Sequence, residues 1–419
     1  MEDGKRLSDK VMQLMERGVT ISTPSSVEIG DDVDIERISR DGVVFYSGTK
    51  IFGSKTLIGS GAKLGYEAPV TVSDCQIGPG VELKGGFFKR SVFLEKANMA
   101  SGAQVREGCL LEEEANGSHT VGLKQTILFP FVTLGSLINF CDCFMAGGTS
   151  RKNHSEVGSS YIHFNYTPNQ DKATASLIGD VPRGVMLDQP PIFLGGQGGL
   201  VGPARIGFGT VIAAGSVYRG DSLEGGKLLR EDNGAGEKDF YPGFYGDVQR
   251  RVTNNIFYLA NLLALKEWYH HVRKPFFEAQ EFGAELYEGV RETLAVAIDE
   301  RLKRFRVLSE KMEQSMSIAG RIVDGEAAGD LIGLKREFLN NWSEIEECFA
   351  GNYEEQAARD ERDDFCAIMR KMVAEGDAGY LSAIQSLDAE AKGKGTFWLQ
   401  SIVDDIAGRV FDLIPSYRG

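Results

Sequence analysis

Residues 57–83 read LIGSGAKLGYEAPVTVSDCQIGPGVEL. Ile58, Leu64 and Val70 stand six apart, as do Ile77 and Leu83, and glycine directly follows Ile58, Leu64 and Ile77. An aliphatic residue at every sixth position, beside a small residue that lets the chain turn, is the pattern of a solenoid with flat six-residue faces. Each inward side chain stacks on its counterpart one coil away, so the rungs jointly bury what no single rung could. The spacing recurs in Met99, Val105 and Leu111 and again in Ile206 and Ile212. The aliphatic-glycine pair recurs at Ile29-Gly30, Val121-Gly122, Leu134-Gly135, Ile178-Gly179 and Ile206-Gly207. Slips of register, as from Val70 to Ile77, require bulges or loops between coils. A β-sandwich would instead carry longer alternating strands and hairpin turns. The expected fold is therefore a β-solenoid plus an all-α part, the solenoid being a left-handed parallel β-helix of hexapeptide repeats.

Glycine and proline divide the chain. Of 51 glycines, 31 lie in residues 21–225 and 13 in residues 247–419; of 12 prolines, nine and two do. Glycine supplies the positive φ angles of tight turns and proline is excluded from helix interiors, so the architecture changes near residue 240. The expected boundaries are a capping helix in 1–20, the β-helix in 21–225, a Gly- and Asp/Glu-rich linker in 226–246 and a helical bundle in 247–419. Leu7, Val11, Leu14 and Met15 form one helical face over the end of the solenoid, with Gly18 as its stop. In the second half, Val252, Ile256, Leu259 and Leu263 make one stripe; Leu294, Ile298, Leu302, Phe305 and Leu308 a second; and Leu399, Ile402, Ile406, Val410 and Leu413 a third. Such stripes read as core. The tandem His270-His271 is not expected to share an ion, because adjacent residues of an α-helix diverge by about 100°.

A formal net charge of −14 without a dense basic run argues against nucleic acid as a partner. The longest apolar run, Ile256 to Leu265, falls short of a membrane span, and the first ten residues lack the apolar core of a secretion signal. The reading is cytoplasmic, with no membrane association. Six scattered cysteines suit reduced thiols, and the lone Cys141-x-Cys143 has no second pair at ligand spacing, so no metal site is expected.

Two stretches go beyond repeat grammar: GSSYIHFNYTPNQDKATASLIG at 158–179 and IFLGGQGGLVGPARIGFGTVIAAGSV at 192–217. Together with ERGVTISTP at 16–24 they resemble the acetyltransferase half of bifunctional UDP-N-acetylglucosamine pyrophosphorylase/glucosamine-1-phosphate acetyltransferase. The resemblance is good over about 60 residues, loose over the other repeats, and absent from the helical half. It implies acyl transfer from acetyl-CoA to an amino sugar phosphate or nucleotide sugar, in a homotrimer with active sites between subunits. By the same resemblance Asn165 and Tyr166 would approach the acyl donor and the sugar amine. Gly195 and Gly196 would bind acetyl-CoA with Ala213 and Ala214 beside them, and Lys172 would touch the sugar phosphate.

The chain departs from that pattern. The nucleotidyltransferase domain is missing, which argues against uridylyl transfer. Residues 180–191 read as an insertion. Counting back from Asn165 without gaps, the position of the catalytic histidine falls on Asp142. Acetyl transfer to an amine needs a base, and histidine titrates nearest to neutrality. His154, in SRKNHSEVG, is the substitute, with Glu156 to orient it and Arg151 and Lys152 to hold a phosphate. His163 is next in line, and His119 has no motif around it. The GGQGG of 195–199 lacks the following helix of a dinucleotide fingerprint. A non-catalytic β-helix that binds sugar nucleotide or a protein partner is the competing reading, favoured by the displaced histidine.

Overall fold

The computed structural model describes residues 7–231, 236–237, 239–323, 325–350, 358–376 and 379–418. Parts of the N-terminal segment (1–6) and of the linker (232–235 and 238) lie outside the described residues. Residues 20–229 form a parallel β-solenoid of triangular section. Its first sheet stacks 11 two-residue strands, from Thr20–Ile21 to Leu228–Leu229. This last strand falls within the stretch read as linker and pairs with Val211–Ile212. A second sheet runs from Glu28–Ile29 through Ala103–Val105 and Ile162–Phe164 to Val217–Tyr218, and a third from Leu57–Ile58 through Cys109–Leu111 and Ser176–Ile178 to Arg205–Ile206. Two long strands, Gly122–Leu128 and Asn139–Met145, bend around the edge between the second and third sheets.

The sixfold residues alternate among the sheets and point inward: Ile58, Leu64, Val70, Ile77, Leu83, Met99, Val105, Leu111, Ile206 and Ile212 are all buried. Register makes columns of them, as in Phe45, Leu64, Leu83 and Met99 of the first sheet. Each fully buried aliphatic side chain contributes roughly 1.5–3 kcal/mol, so regular stacking replaces the single core of a globular domain.

Helix α1 (Asp9–Glu16) covers the open first coil with Val11 and Leu14. Ser8 caps it, and Lys10 Nζ donates to the carbonyls of Gly30, Asp31 and Val33 at 3.0, 2.8 and 2.6 Å. Met15, expected on the covering face, points to solvent. A short α2 (Val181–Gly184) lies in the insertion. The helical half comprises α3 (Val248–Trp268), α4 (Lys274–Glu278), α5 (Gly283–Glu310), α6 (Met312–Ile322), α7 (Gly325–Asn340), α8 (Trp342–Ala350), α9 (Arg359–Glu375), α10 (Tyr380–Ser386) and α11 (Ala389–Leu413). A π-turn, Tyr269–Arg273, joins α3 to α4.

The third sheet is buried on both sides. Its outward positions Leu57, Val92, Leu110, Ile127, Phe144 and Leu177 are apolar and buried, whereas the first sheet turns Thr20 and Lys63 to solvent. Helix α5 lies across the strands at 76–77, 91–93 and 109–111, and α3 across 176–178. Gly289 permits the close approach: a Cβ there would meet Gln76 Cγ at 2.7 Å. Among the described residues the helices therefore leave two faces of the prism and the edge between them uncovered.

Candidate functional site

Each edge is a column of residues in the left-handed conformation, one per coil. Lys96, Glu114 and Phe131 turn the edge between the third and first sheets; Gly102, Thr120, Leu137, Ser160 and Gln197 the free edge between the first and second; Gly108, Gln125 and Asp142 the edge between the second and third. Insertions are added at such corners because the sheets on either side keep their register. The hairpin Gly148–Ser150/Asn153–His154 and the 180–191 segment leave the third-to-first edge, and the Asn-Tyr loop, 165–175, leaves the second-to-third edge. The residues expected to act together thus occupy all three edges of one chain: His154, Arg151, Lys152 and Glu156 at or beside the hairpin edge, Asp142, Asn165, Tyr166 and Lys172 on the loop edge, and Gly195, Gly196, Ala213 and Ala214 on the free edge.

On the loop edge, Asp142 is bound on both oxygens. Arg301 Nη2 of α5 donates to Oδ1 and Asn165 Nδ2 to Oδ2, each at 2.6 Å. The ion pair is dry, with side chains 3% and 6% exposed. Arg301 Nη1 also donates to the Lys172 carbonyl at 3.3 Å, and Thr174 Oγ1 to the Asn165 carbonyl at 2.7 Å. The helical half grips the rest of the loop. Tyr245 OH donates to the buried Asp171 Oδ2 at 2.9 Å, Lys311 Nζ to the Asn169 carbonyl at 2.5 Å and Asn255 Nδ2 to the Ala173 carbonyl at 3.0 Å. Tyr166 stays exposed, with Lys172 Nζ 6.0 Å from its ring centroid.

On the hairpin edge, Arg151 donates to the carbonyls of Glu114 and Phe131 at 2.9 and 2.8 Å and to Thr133 Oγ1 at 2.9 Å, which pins the hairpin to the coils beneath. His154 Nδ1 lies 2.9 Å from the Arg151 carbonyl. A carbonyl can only accept, so Nδ1 is the donor of this bond and Nε2 faces the other way, 3.9 Å from Glu156 Oε2. Beside the hairpin a cleft of about 550 Å³ is lined by Glu95, Lys96, Glu113, Glu114, Arg151 and Lys152 from the solenoid and by Gln280, Ser382 and Gln385 from the helical half. Gln385 Nε2 donates to the Thr149 carbonyl at 2.8 Å.

On the free edge the coils touch backbone to backbone. A Cβ on Gly195 would fall 2.3 Å from Ala214 N. Leu137, Ile162, Phe164 and Phe193 present exposed apolar side chains on this edge and its two faces. Nearby, a shallow groove of about 430 Å³ along the second sheet is lined by Gly102, Gln104, Arg106, Gly122, Asn139 and Cys141.

His163 belongs to the core, in register with Phe140 and Leu200. It bonds the Cys141 carbonyl and Ser176 Oγ, both at 2.7 Å, and burial drives it down to about 4, so it is neutral and out of reach of a ligand. His119 is exposed beside Glu67. The cysteines are free; burial pushes the Cys75 thiol up to about 12 and Cys143 well above the usual range, so these thiols are inert. Among the described residues no cluster of His, Cys, Asp and Glu could hold a metal, and no helix is long and apolar enough to cross a membrane.

No protein-family model matches the chain. The sequence is similar to bifunctional protein GlmU. The GlmU of Thermotoga maritima is 28% identical over 213 residues, which is 51% of this chain and 42% of the relative. That of Carboxydothermus hydrogenoformans is 26% identical over 231 residues, 55% and 46%, and that of Fervidobacterium nodosum 29% over 209, 50% and 41%. The match thus spans less than half the length of each relative. With the parallel solenoid, it supports the transferase-like hexapeptide β-helix to which the Asn-Tyr loop pointed.

Sequence reasoning did not find Arg301 or Asp171. Arg301 is one arginine among several on an amphipathic helix, and nothing local marks it as buried. A signal for the covered face was present: Leu57-Ile58, Val92-Phe93, Leu110-Leu111, Ile127-Leu128, Phe144-Met145 and Leu177-Ile178 are apolar at outward and inward positions alike. A strand apolar on both sides is covered on both.

Proposed function

We propose that this chain is a CoA-dependent acyltransferase, acting on an amino sugar phosphate or nucleotide sugar, whose active sites form between the subunits of a homotrimer. The observation that carries the reading is the orientation of His154, with Nδ1–H held by a backbone carbonyl and Nε2 turned to the Glu156 carboxylate. The covered third sheet restricts assembly. Among the described residues the free edge, with exposed Leu137, Ile162 and Phe164, suits a position facing a threefold axis. The first sheet of one chain then meets the second sheet of the next. Their outer rims are the hairpin edge of one subunit and the loop edge of its neighbour, so His154 would oppose the Asn165–Lys172 loop of the adjacent chain. This explains why residues of one chemistry sit on different edges of a single molecule.

In this arrangement Nε2 takes a proton from the acceptor amine as nitrogen attacks the thioester carbonyl. The C–S bond breaks, and the departing thiolate recovers a proton from the imidazolium, which Glu156 stabilises. Lys152 in the adjoining cleft suits the acceptor's phosphate, while Lys96 there is paired with Glu95. The shallow groove along the second sheet suits the narrow arm of acetyl-CoA. A cytoplasmic location belongs to the same reading.

A mixing experiment tests it. His154→Ala should lower thioester consumption by about 10² or more. Mixed trimers of His154→Ala and Asn165→Ala chains should regain activity, because some interfaces then combine two intact halves. Loss without recovery on mixing would refute the shared site. A second reading has its own support: Asp142 and Arg301 fill, as a sealed ion pair, the position that the resemblance gives to the catalytic histidine. If no acyl-CoA is turned over while sugar nucleotide still binds, the chain is a non-catalytic β-helix of the same ancestry.

A further inference from the structure

The Asn-Tyr loop carries Asn165 and Tyr166, yet from 165 to 175 it forms neither strand nor helix. Each residue of such a segment loses conformational freedom on ordering, so its pose is set by whatever it bonds to. The solenoid holds the loop at its root, through Asp142 and Asn165. The tip is a turn at Pro168-Asn169, closed by Gln170 N–H donating to the Thr167 carbonyl at 2.9 Å. This tip lies against residues 243–245, a strap of extended chain that leads into α3.

Asn169 fastens the two together. Gly243 N–H donates to its Oδ1 at 2.8 Å, its Nδ2 donates to the Phe244 carbonyl at 3.1 Å, and Lys311 Nζ donates to its backbone carbonyl at 2.5 Å. The side-chain amide thus satisfies a donor and an acceptor of the strap at once. The strap is fixed in turn to the helices behind it. Tyr245 N–H donates to Ser315 Oγ of α6 at 3.0 Å, and the Phe244 ring packs on the buried Lys335 of α7, whose Nζ lies 4.7 Å from the ring centroid. Tyr245 OH reaches across to Asp171, two residues beyond Asn169. Loop, strap, α6 and α7 therefore form one bonded stack, and Asn169 stands in it three residues from Tyr166 and four from Asn165.

We propose that Asn169 is a positioning residue for acyl transfer, through which the helical half sets the pose of Asn165 and Tyr166 against the adjacent subunit's hairpin; the assignment rests on the acyl-transfer reading. Displacing reacting groups by about 1 Å can cost about 10²-fold in rate, so a loosened tip should be felt in turnover. Steady-state kinetics of the full chain with acetyl-CoA, and with glucosamine-1-phosphate and UDP-glucosamine as acceptors, test it. Asn169→Ala should lower kcat by about tenfold or more, with the KM for acetyl-CoA within about twofold and the pH profile unmoved, because the base is untouched. Tyr245→Phe, which deletes the strap's bond to Asp171 but keeps the ring, should act in the same direction. Mixed trimers of Asn169→Ala with His154→Ala should regain activity, and those with Asn165→Ala should not; recovery also shows that the variant chain is folded. An unchanged kcat in Asn169→Ala, a shifted pH profile, or recovery with Asn165→Ala would overturn the role of Asn169 and leave acyl transfer standing. No thioester consumption by the wild type with either acceptor would overturn the acyl-transfer reading itself, and this assignment with it.

Discussion

Replacing Arg301 by Met tests whether the helical half and the solenoid are joined through the loop edge. Methionine keeps the unbranched apolar stem of the side chain and its place on α5 but removes the cation facing Asp142. The carboxylate would keep only the Asn165 amide at 2.6 Å. Asp142 and Arg301 are 6% and 3% exposed, so water cannot replace the lost partner, and no solvent discount applies. Breaking a buried pair in this way costs about 3–5 kcal/mol, and the Lys172 carbonyl also loses a donor. A second variant separates an orphaned charge from lost packing. Asp142→Asn removes the charge while tolerating the φ of 60° at this corner, where most side chains are strained. In Asp142→Asn/Arg301→Met no charge is left unpaired, so the double loss should be smaller than the sum of the single losses by at least about 2 kcal/mol. Urea denaturation of the four proteins, with limited proteolysis of the 165–174 loop, makes the measurement. Arg301→Met within about 0.5 kcal/mol of the parent, or strictly additive losses, would refute the reasoning.

Two further outcomes follow from the same geometry. Burial raises Glu112 to about 8, against the opposing pull of Arg273, and Tyr269 OH donates to its Oε1 at 2.5 Å. The folded state therefore keeps a proton that the unfolded chain releases near about 4.3. This contribution is complete below about 4.3 and is lost as pH rises through about 8. Glu112→Gln, which imitates the protonated acid, should flatten the dependence of melting temperature on pH; parallel profiles for variant and parent from about pH 5 to 8 would exclude Glu112 as the source. On the free edge, Gly195→Ala places a methyl group 2.3 Å from Ala214 N, a backbone atom that cannot swing aside. A loss of about 1–3 kcal/mol in chemical denaturation is expected, and an unchanged midpoint would mean that the coils separate more easily than their stacking suggests.

The solenoid was legible in the sequence because its determinant is local. A rung is six residues long, its inward residue must be aliphatic, and the same requirement returns at the next face, so Ile58, Leu64 and Val70 declare the fold without reference to anything distant. The helical stripes were legible for the same reason, since amphipathic spacing is written within one element. The Asn-Tyr loop and the hairpin could likewise be found as interruptions of a period. What tertiary structure alone decided is which edge each interruption occupies and what lies over it. The number of turns between Asn153 and Asn165 sends one loop to the hairpin edge and the other to the loop edge, and that depends on how bulges and corners accumulate along the coil. The union of Arg301 with Asp142, 159 residues apart, could not be read in advance, because a buried charge pair leaves no periodic trace in either segment. Repetition is encoded by neighbours in the chain; the chemistry of the edges is encoded by neighbours in space.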